Sequence, residues 1–150
     1  MKGPYNVRRV DPHDLSQIKA IADRELREEY GMDLLMRFFE EFRGGFFVAE
    51  REGDVLGFIL AVPLDRSTMR ILMLAVREEC TQTGIGSELL RAMKEYTVMR
   101  MMNSIVLEVS GNNETAVRFY KNRGFQQVRM IPNYYTDGRD AMVMRSYLPV

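Results

Sequence analysis

The feature that most constrains this chain is a change of hydrophobic period on either side of two glycines. Arg70 to Val76, RILMLAV, is apolar almost throughout, as a strand buried on both faces would be. A few residues later Ile85, Leu89, Met93 and Tyr96 mark one face of a helix. Between them lies CTQTGIGSELL (Cys80 to Leu90), with glycines at positions 84 and 86. A buried strand that feeds a helix through a short loop belongs to α/β folds, in which helices pack over a sheet.

The rest of the chain alternates between the same two periods. Asn6 to Val10 reads as a first strand, and Asp11-Pro12 as a helix start, with a capping side chain and then proline in the first turn. Leu15, Ile18, Ala22 and Leu26 keep helical spacing to about Tyr30, and Leu34 to Phe42 makes a second short helix ending at Gly44-Gly45. Phe46 to Glu50 and Val55 to Leu64 are strands joined by a Glu52-Gly53-Asp54 turn, with Gly57 a candidate bulge. Ser104 to Val109 is a further strand, and Asn113 to Arg123 a short helix closed by Gly124. Gln126 to Ile131 and Ala141 to Tyr147 are the last two strands. With no repeat, linker or low-complexity segment, residues 1–150 read as one mixed α/β domain.

Charge narrows the choice of partners. Lys+Arg and Asp+Glu balance at 21 each, so nothing draws the whole molecule to nucleic acid or to an anionic membrane, and any anion site must be local. Cys80 is the only cysteine, which excludes an internal disulfide and a cysteine-cluster metal site and fits a reducing cytoplasm. The opening MKGPYNVRRV lacks the apolar core of a signal peptide, and no run approaches about 18 apolar residues, so neither leader nor membrane span is expected. The 12 methionines are scattered, as adaptable core packing would have them.

The glycine loop has two physical readings. A helix leaves its first backbone N–H groups unpaired and its dipole favours negative charge there, and glycines let a phosphate approach without meeting a Cβ. The same residues also suit a turn that binds nothing. Ser87-Glu88 stands where a P-loop needs Lys-Ser/Thr, and a dinucleotide fingerprint would need a third glycine. A pyrophosphate outside both nucleotide motifs remains.

Here the chain resembles the GNAT acetyltransferases, whose cofactor loop has the form Arg/Gln-x-x-Gly-x-Gly/Ala. Thr81-Gln-Thr-Gly84-Ile-Gly86 fits at both glycines but has Thr at the leading position, with Gln82 one place late. LEVSGNNETAVRFYKNRGF (Leu107 to Phe125) is similar to the family's strand, Asn-x-x-Ala, Tyr and Gly-Phe series. NYYTDGRDAMVM (Asn133 to Met144) resembles the branch that acetylates protein N-termini, the ribosomal-protein alanine acetyltransferases and their archaeal relatives. Leu26-Arg-Glu-Glu-Tyr30 resembles that branch's Leu-Pro-Glu-x-Tyr loop, with Arg27 in place of proline.

The resemblance implies a single-domain GNAT fold: a mixed, mostly antiparallel twisted sheet of about seven strands, with about four helices on both faces. It implies acetyl-CoA as donor and no metal. The cofactor would be held by Leu74, Ala75 and Val76 at the end of the central strand, by Gln82, Thr83, Gly84, Ile85, Gly86 and Ser87 in the loop, and by Asn113 and Tyr120. The missing Arg or Gln at position 81 leaves the backbone N–H groups to do more of the holding.

Acetyl transfer to an amine needs a neutral nitrogen, a polarised carbonyl and a proton for the departing thiolate. An α-amine of pKa ~7.8 costs about 1 kcal/mol to deprotonate at pH 7, whereas a lysine of pKa ~10.4 costs about 4.6. A modest base is therefore enough for an N-terminus. Glu108, in the Ser104 to Val109 strand, is the candidate, since relatives use a Glu at the matching place; a purely structural carboxylate is the alternative. Other relatives use a His on the strand before the glycine loop, but Arg70 stands there, and His13, the only histidine, reads as structural or surface. Tyr120 is the candidate acid, against a simple packing role on its helix face. Tyr134 and Tyr135 would clamp the substrate backbone, opposite Glu28 and Tyr30, although Glu28 also fits a solvated acidic face with Glu25 and Glu29. The expected substrates are protein or peptide N-termini, ribosomal or nascent chains among them. Lysine side chains, small amines and a non-catalytic CoA-binding module are the alternatives, and the oligomeric state stays open.

Overall fold

The hairpin Arg51-Glu52-Gly53-Asp54 shows how local chemistry sets the first strands. Glu52 and Gly53 both take positive φ (52° and 87°), the turn whose twist matches that of the strands it joins. In this computed structural model, which describes residues 4–26 and 28–149, the elements run β1 (Asn6–Arg9), α1 (Leu15–Glu25), α2 (Met32–Phe42), β2 (Phe46–Arg51), β3 (Asp54–Pro63) and β4 (Thr68–Val76). Then follow α3 (Ile85–Met99), β5 (Ser104–Ser110), α4 (Glu114–Lys121), β6 (Gln126–Ile131) and β7 (Ala141–Tyr147). The seven strands and four α-helices are those expected for a mixed α/β fold. The chain forms two compact units, one of residues up to Val62 with Leu72–Tyr96, the other of Pro63–Ile71 with the residues from Thr97 onward.

The first unit holds β1, β2, β3 and the second half of β4, in that strand order. β2 pairs antiparallel with β1 on one side (Arg9↔Phe47) and with β3 on the other (Phe46↔Leu60). Ala49 faces Gly57 while Glu50 faces Val55, so the extra residue of the bulge is Leu56. Gly57 has another reason to be glycine: a Cβ there would lie 2.9 Å from the Ala75 carbonyl oxygen of β4. The core forms where α1 (Leu15, Ile18, Ile21) and α2 (Leu35, Phe39) cover Phe46, Val48, Phe58, Leu60 and Met73 of the strands. Full burial of a side chain such as Phe58 contributes about 2–3 kcal/mol.

The start of α1 is fixed by charge. Asp14, 1% exposed, accepts hydrogen bonds from Arg8 at 2.8 and 3.0 Å and from the Asp11 backbone N–H at 2.7 Å. His13 is exposed beside it. The helix ends at Glu25, several residues before Tyr30, because Leu26 is already extended (φ −110°, ψ 147°). Arg27 lies outside the described residues.

The second unit holds the first half of β4, then β5, β7 and β6. β4 and β5 run parallel (Thr68↔Ser104, Arg70↔Val106), and β5 pairs antiparallel with β7 along its whole length, Ser104↔Tyr147 to Ser110↔Ala141. β6 is a largely exposed edge, with a register shift between Gln127 and Arg129 that interrupts its pairing with β7. α4 is capped by Asn113, whose side-chain oxygen accepts the Ala116 N–H at 3.1 Å, and it closes at Gly124 (φ 94°). Among the described residues, no helix is long and apolar enough to cross a membrane.

Candidate active site

In the first unit, β4 hands over to α3 through the glycine loop. Arg77 anchors the exit from β4: its backbone N–H donates to the Leu56 carbonyl at 2.8 Å and its Nε to the Val55 carbonyl at 2.6 Å. A short 3-10 turn, Glu78–Cys80, follows and buries Cys80 to 3% exposure, out of reach as an acyl carrier. The Thr81 hydroxyl donates back to the Glu78 carbonyl at 2.9 Å, and the Thr83 hydroxyl to the Cys80 carbonyl. Gln82 (φ 63°) and Gly84 (φ 89°) are both left-handed, and they turn the chain sharply into α3. Such alternation lets neighbouring N–H groups face one concavity, beside a helix end that favours anions.

The loop from Thr81 to Gly84 is exposed, Ile85 is buried, and Gly86 and Ser87 are half-buried. An open hollow of about 510 Å³ runs beside it, lined by Tyr5, Asn6 and Val7 of the β1 side and by Thr83, Gly84, Ser87 and Glu88. The Glu88 carboxylate is engaged by Arg91 at 2.8 Å, so it does not confront the helix end as an uncompensated charge. Leu74 and Val76 are half-buried and Ala75 is buried. Glu28 is exposed, while Tyr30 packs against the core and its carbonyl accepts from Lys19 at 3.3 Å.

The second unit brings together residues that are far apart in sequence. Arg70 and Val106 are paired across the parallel strands, and Glu108 lies two residues further along β5, on the same face as Val106. The Arg70 side chain spans that diagonal. Its Nε lies 3.0 Å and its Nη2 2.6 Å from Oε1 of Glu108. Nη2 also donates to the Tyr134 hydroxyl at 3.0 Å, and that hydroxyl in turn faces the same Oε1 at a long 3.5 Å. Burial opposes the charge on Arg70, but the hydrogen bonds and charge of Glu108 outweigh it and raise its pKa above the ordinary guanidinium value.

The Tyr134 ring is 41% exposed and stands edge-on to Tyr135, centroids 5.0 Å apart. Tyr135 is held in the turn by its backbone bonds to Arg139 and Gly138. Tyr120 is 8% exposed, with Phe119 and Phe125 edge-on at 5.1 and 5.4 Å, and burial pushes its phenol up from the usual value. Burial thus keeps the Tyr120 phenol in its protonated form.

The expected site residues thus fall in two groups. Glu28, Tyr30, Leu74 to Val76 and the glycine loop lie in the first unit; Glu108, Asn113, Tyr120, Tyr134 and Tyr135 lie in the second. In the sequence Arg70 stands only where other relatives have a histidine; its grip on Glu108 is visible in the fold alone. The available signal was a cation and an anion on two neighbouring strands, which becomes a pair only once strand order and register are known.

The model of the acetyltransferase (GNAT) family matches residues 13–125. The chain belongs to the GNAT acetyltransferases. An N-acetyltransferase of Methanocaldococcus jannaschii is 35% identical over 139 residues, covering 92% of this chain and 88% of that one. An N-alpha-acetyltransferase of Sulfurisphaera tokodaii is 31% identical, covering 96% of this chain and 93% of its own. Among solved structures, Ard1 from Thermoplasma volcanium superposes with a TM-score of 0.93 at 34% identity, covering 97% of this chain and 99% of that one. The GNAT fold expected from the motifs is borne out by this likeness.

Proposed function

We propose that this GNAT enzyme transfers the acetyl group of acetyl-CoA to the α-amino group of protein N-termini. The observation that carries the reading is the state of Glu108: a half-buried carboxylate fixed on one oxygen, in the same unit as the exposed Tyr134 and the half-buried Tyr135. An α-amine is mostly protonated at pH 7 but needs only about 1 kcal/mol to lose its proton, within reach of one carboxylate. The glycine loop supplies backbone N–H groups for the pyrophosphate of acetyl-CoA, with Leu74 to Val76, Asn113 and Tyr120 as further contacts. Tyr134, Tyr135, Glu28 and Tyr30 receive the peptide.

The reaction is a direct attack in a ternary complex. The ammonium gives one proton to Glu108, and the nitrogen lone pair forms the C–N bond at the thioester carbonyl. The C–S bond then breaks, the thiolate takes the Tyr120 proton, and the surplus proton on nitrogen restores the phenol. Glu108 releases its proton to water before the next turnover, so the sum is one acetylated N-terminus, one CoA thiol and one proton.

Support from relatives lies in the Sulfurisphaera protein, named an N-alpha-acetyltransferase and similar over nearly the whole chain. Residues 1–150 serve as one catalytic domain, and the setting is the cytoplasm, with ribosomal or nascent chains as substrates. Calorimetry with acetyl-CoA, followed by turnover on a library of N-terminal peptides, tests the reading. Product on α-amines supports it. Product on lysine side chains or small amines only replaces it with the corresponding acetyltransferase, and binding without turnover replaces it with a CoA-binding module.

A further inference from the structure

We infer that Arg70 is a positioning residue for this reaction: with Tyr134 it pins Glu108 by Oε1, so that Oε2 is the oxygen that receives the amine proton. The inference rests on the reading of Glu108 as base. Its ground is an asymmetry in the carboxylate. Three donors converge on Oε1, namely Arg70 Nε at 3.0 Å, Arg70 Nη2 at 2.6 Å and the Tyr134 hydroxyl at 3.5 Å. No protein group among the described residues donates to Oε2.

A guanidinium that meets a carboxylate commonly forms two parallel bonds, one to each oxygen. Here both N–H groups fall on a single oxygen, and register explains why. Arg70 is level with Val106, so its side chain approaches Glu108 from two residues behind. Tyr134 holds Arg70 Nη2 at 3.0 Å and faces Oε1 itself, which closes the triangle.

The carboxyl torsion of a Glu is broad and two-fold, so an unheld Glu108 would present either oxygen in many orientations. Held as it is, Oε1 has its lone pairs committed and Oε2 has them available. From β7, the residue opposite Glu108 is Val143, which brings no charge. One N–H bond of the ammonium breaks and one O–H bond forms at Oε2, with Oε1 keeping its bonds to Arg70 throughout. The geometry therefore gives Arg70 a share in the reaction without contact to the reacting atoms, through the orientation it imposes.

The test compares wild type, Arg70→Ala, Arg70→Lys, Tyr134→Phe, Glu108→Gln and the double variant Arg70→Ala/Glu108→Gln on one N-terminal peptide, with circular dichroism and Tm recorded for each. Arg70→Ala is expected to lower kcat about 10- to 100-fold, with KM for acetyl-CoA changed less than about two-fold. Millimolar guanidinium chloride should restore part of that loss where sodium chloride at equal ionic strength does not. Arg70→Lys should recover it only in part, because an ammonium cannot aim two donors at one oxygen from the same distance. In the Glu108→Gln background, Arg70→Ala should cost little more. If Arg70→Ala does not fold, Tyr134→Phe carries the test, with a fall of about 3- to 10-fold that disappears in Glu108→Gln.

An unchanged kcat in Arg70→Ala, or a loss that persists in full without Glu108 and is not relieved by guanidinium, overturns the inference while leaving the proposed function intact. Absence of any α-amine product from wild type overturns both.

Discussion

Arg70 Nη2 stands 2.6 Å from Glu108 Oε1, and the two side chains are only 32% and 16% exposed. A pair this far from bulk water is costly to break from one side, because the surviving charge is left without its partner. The candidate base is therefore a member of a network and not an isolated carboxylate. Replacing it by Gln leaves Arg70 without its counter-charge, so Tm belongs beside kcat in reading that variant.

Glu108→Gln keeps the shape and the hydrogen-bond acceptor at one atom but removes the proton acceptor. The expected result is a fall in kcat of about 100-fold near pH 7. The ratio of wild type to variant should shrink as pH rises above ~7.8, since the α-amine then loses its proton to water unaided. Initial rates from pH 6 to 9 measure this. A ratio constant with pH would show that Glu108 does not remove that proton.

The glycine loop predicts a backbone-dominated cofactor site. A Cβ at Gly84 would meet nothing within 4 Å, so Gly84→Ala acts only through the left-handed backbone (φ 89°), at about 1–3 kcal/mol. If the loop holds the pyrophosphate, the Kd for acetyl-CoA rises about tenfold or more by calorimetry. Thr81 is exposed and its hydroxyl is turned back to Glu78, leaving room for a longer cation. Thr81→Arg should therefore tighten binding, and an unchanged Kd would show that side-chain help at this position does not matter.

Gly57→Ala tests why glycine interrupts an otherwise apolar β3. The new methyl would fall 2.9 Å from the Ala75 carbonyl oxygen and 3.2 Å from Val76 Cα, backbone atoms that cannot rotate away. Destabilisation of about 1–3 kcal/mol is expected, a fall of roughly 3–10 °C in Tm for a chain of this size. Because Ala75 and Val76 end the strand that leads to the glycine loop, weaker acetyl-CoA binding should accompany it.

Tyr120 links stability to pH at the alkaline end. Burial raises its folded-state pKa, whereas the unfolded phenol ionises near pH ~10. Below that pH both states hold the proton and the contribution is fully present. Above it the unfolded state loses the proton first, so stability falls with rising pH, by up to about 1.4 kcal/mol per pH unit for this one group. Tyr120→Phe removes the dependence, and its denaturant midpoint should fall less steeply than that of wild type between pH 10 and 11. Identical slopes would show that the phenol is not preferentially neutral in the fold.

Most of the fold was legible because it is local. RILMLAV and the Ile85, Leu89, Met93, Tyr96 series became β4 and α3, each starting within two residues of its expected place, and Glu52-Gly53 supplied the hairpin. Two local details were not. α1 stops at Glu25 because Leu26 turns extended, although Leu26 itself fits the helical period. The bulge falls on Leu56, while Gly57 is glycine for the sake of Ala75, a contact to another strand.

The site divides along the same line. Gln82, Gly84, Asn113 and Tyr120 could be proposed from motifs because the role proposed for each depends on the turn or helix that carries it. The Arg70, Glu108, Tyr134 triangle depends on parallel pairing across 36 residues, from Thr68 to Ser104, and on a loop that returns a hydroxyl to the strand face. Nothing in the residues nearest Arg70 signals that pairing.

The central claim is that the acceptor is an α-amine. Its most direct test is a peptide with one free N-terminus and one internal lysine, incubated with acetyl-CoA and sequenced by tandem mass spectrometry at early times. The expected product carries a single acetyl group on the N-terminal residue, lost in Glu108→Gln and absent when the N-terminus is blocked. Acetyl groups on the lysine alone, with the N-terminus unmodified, would contradict it.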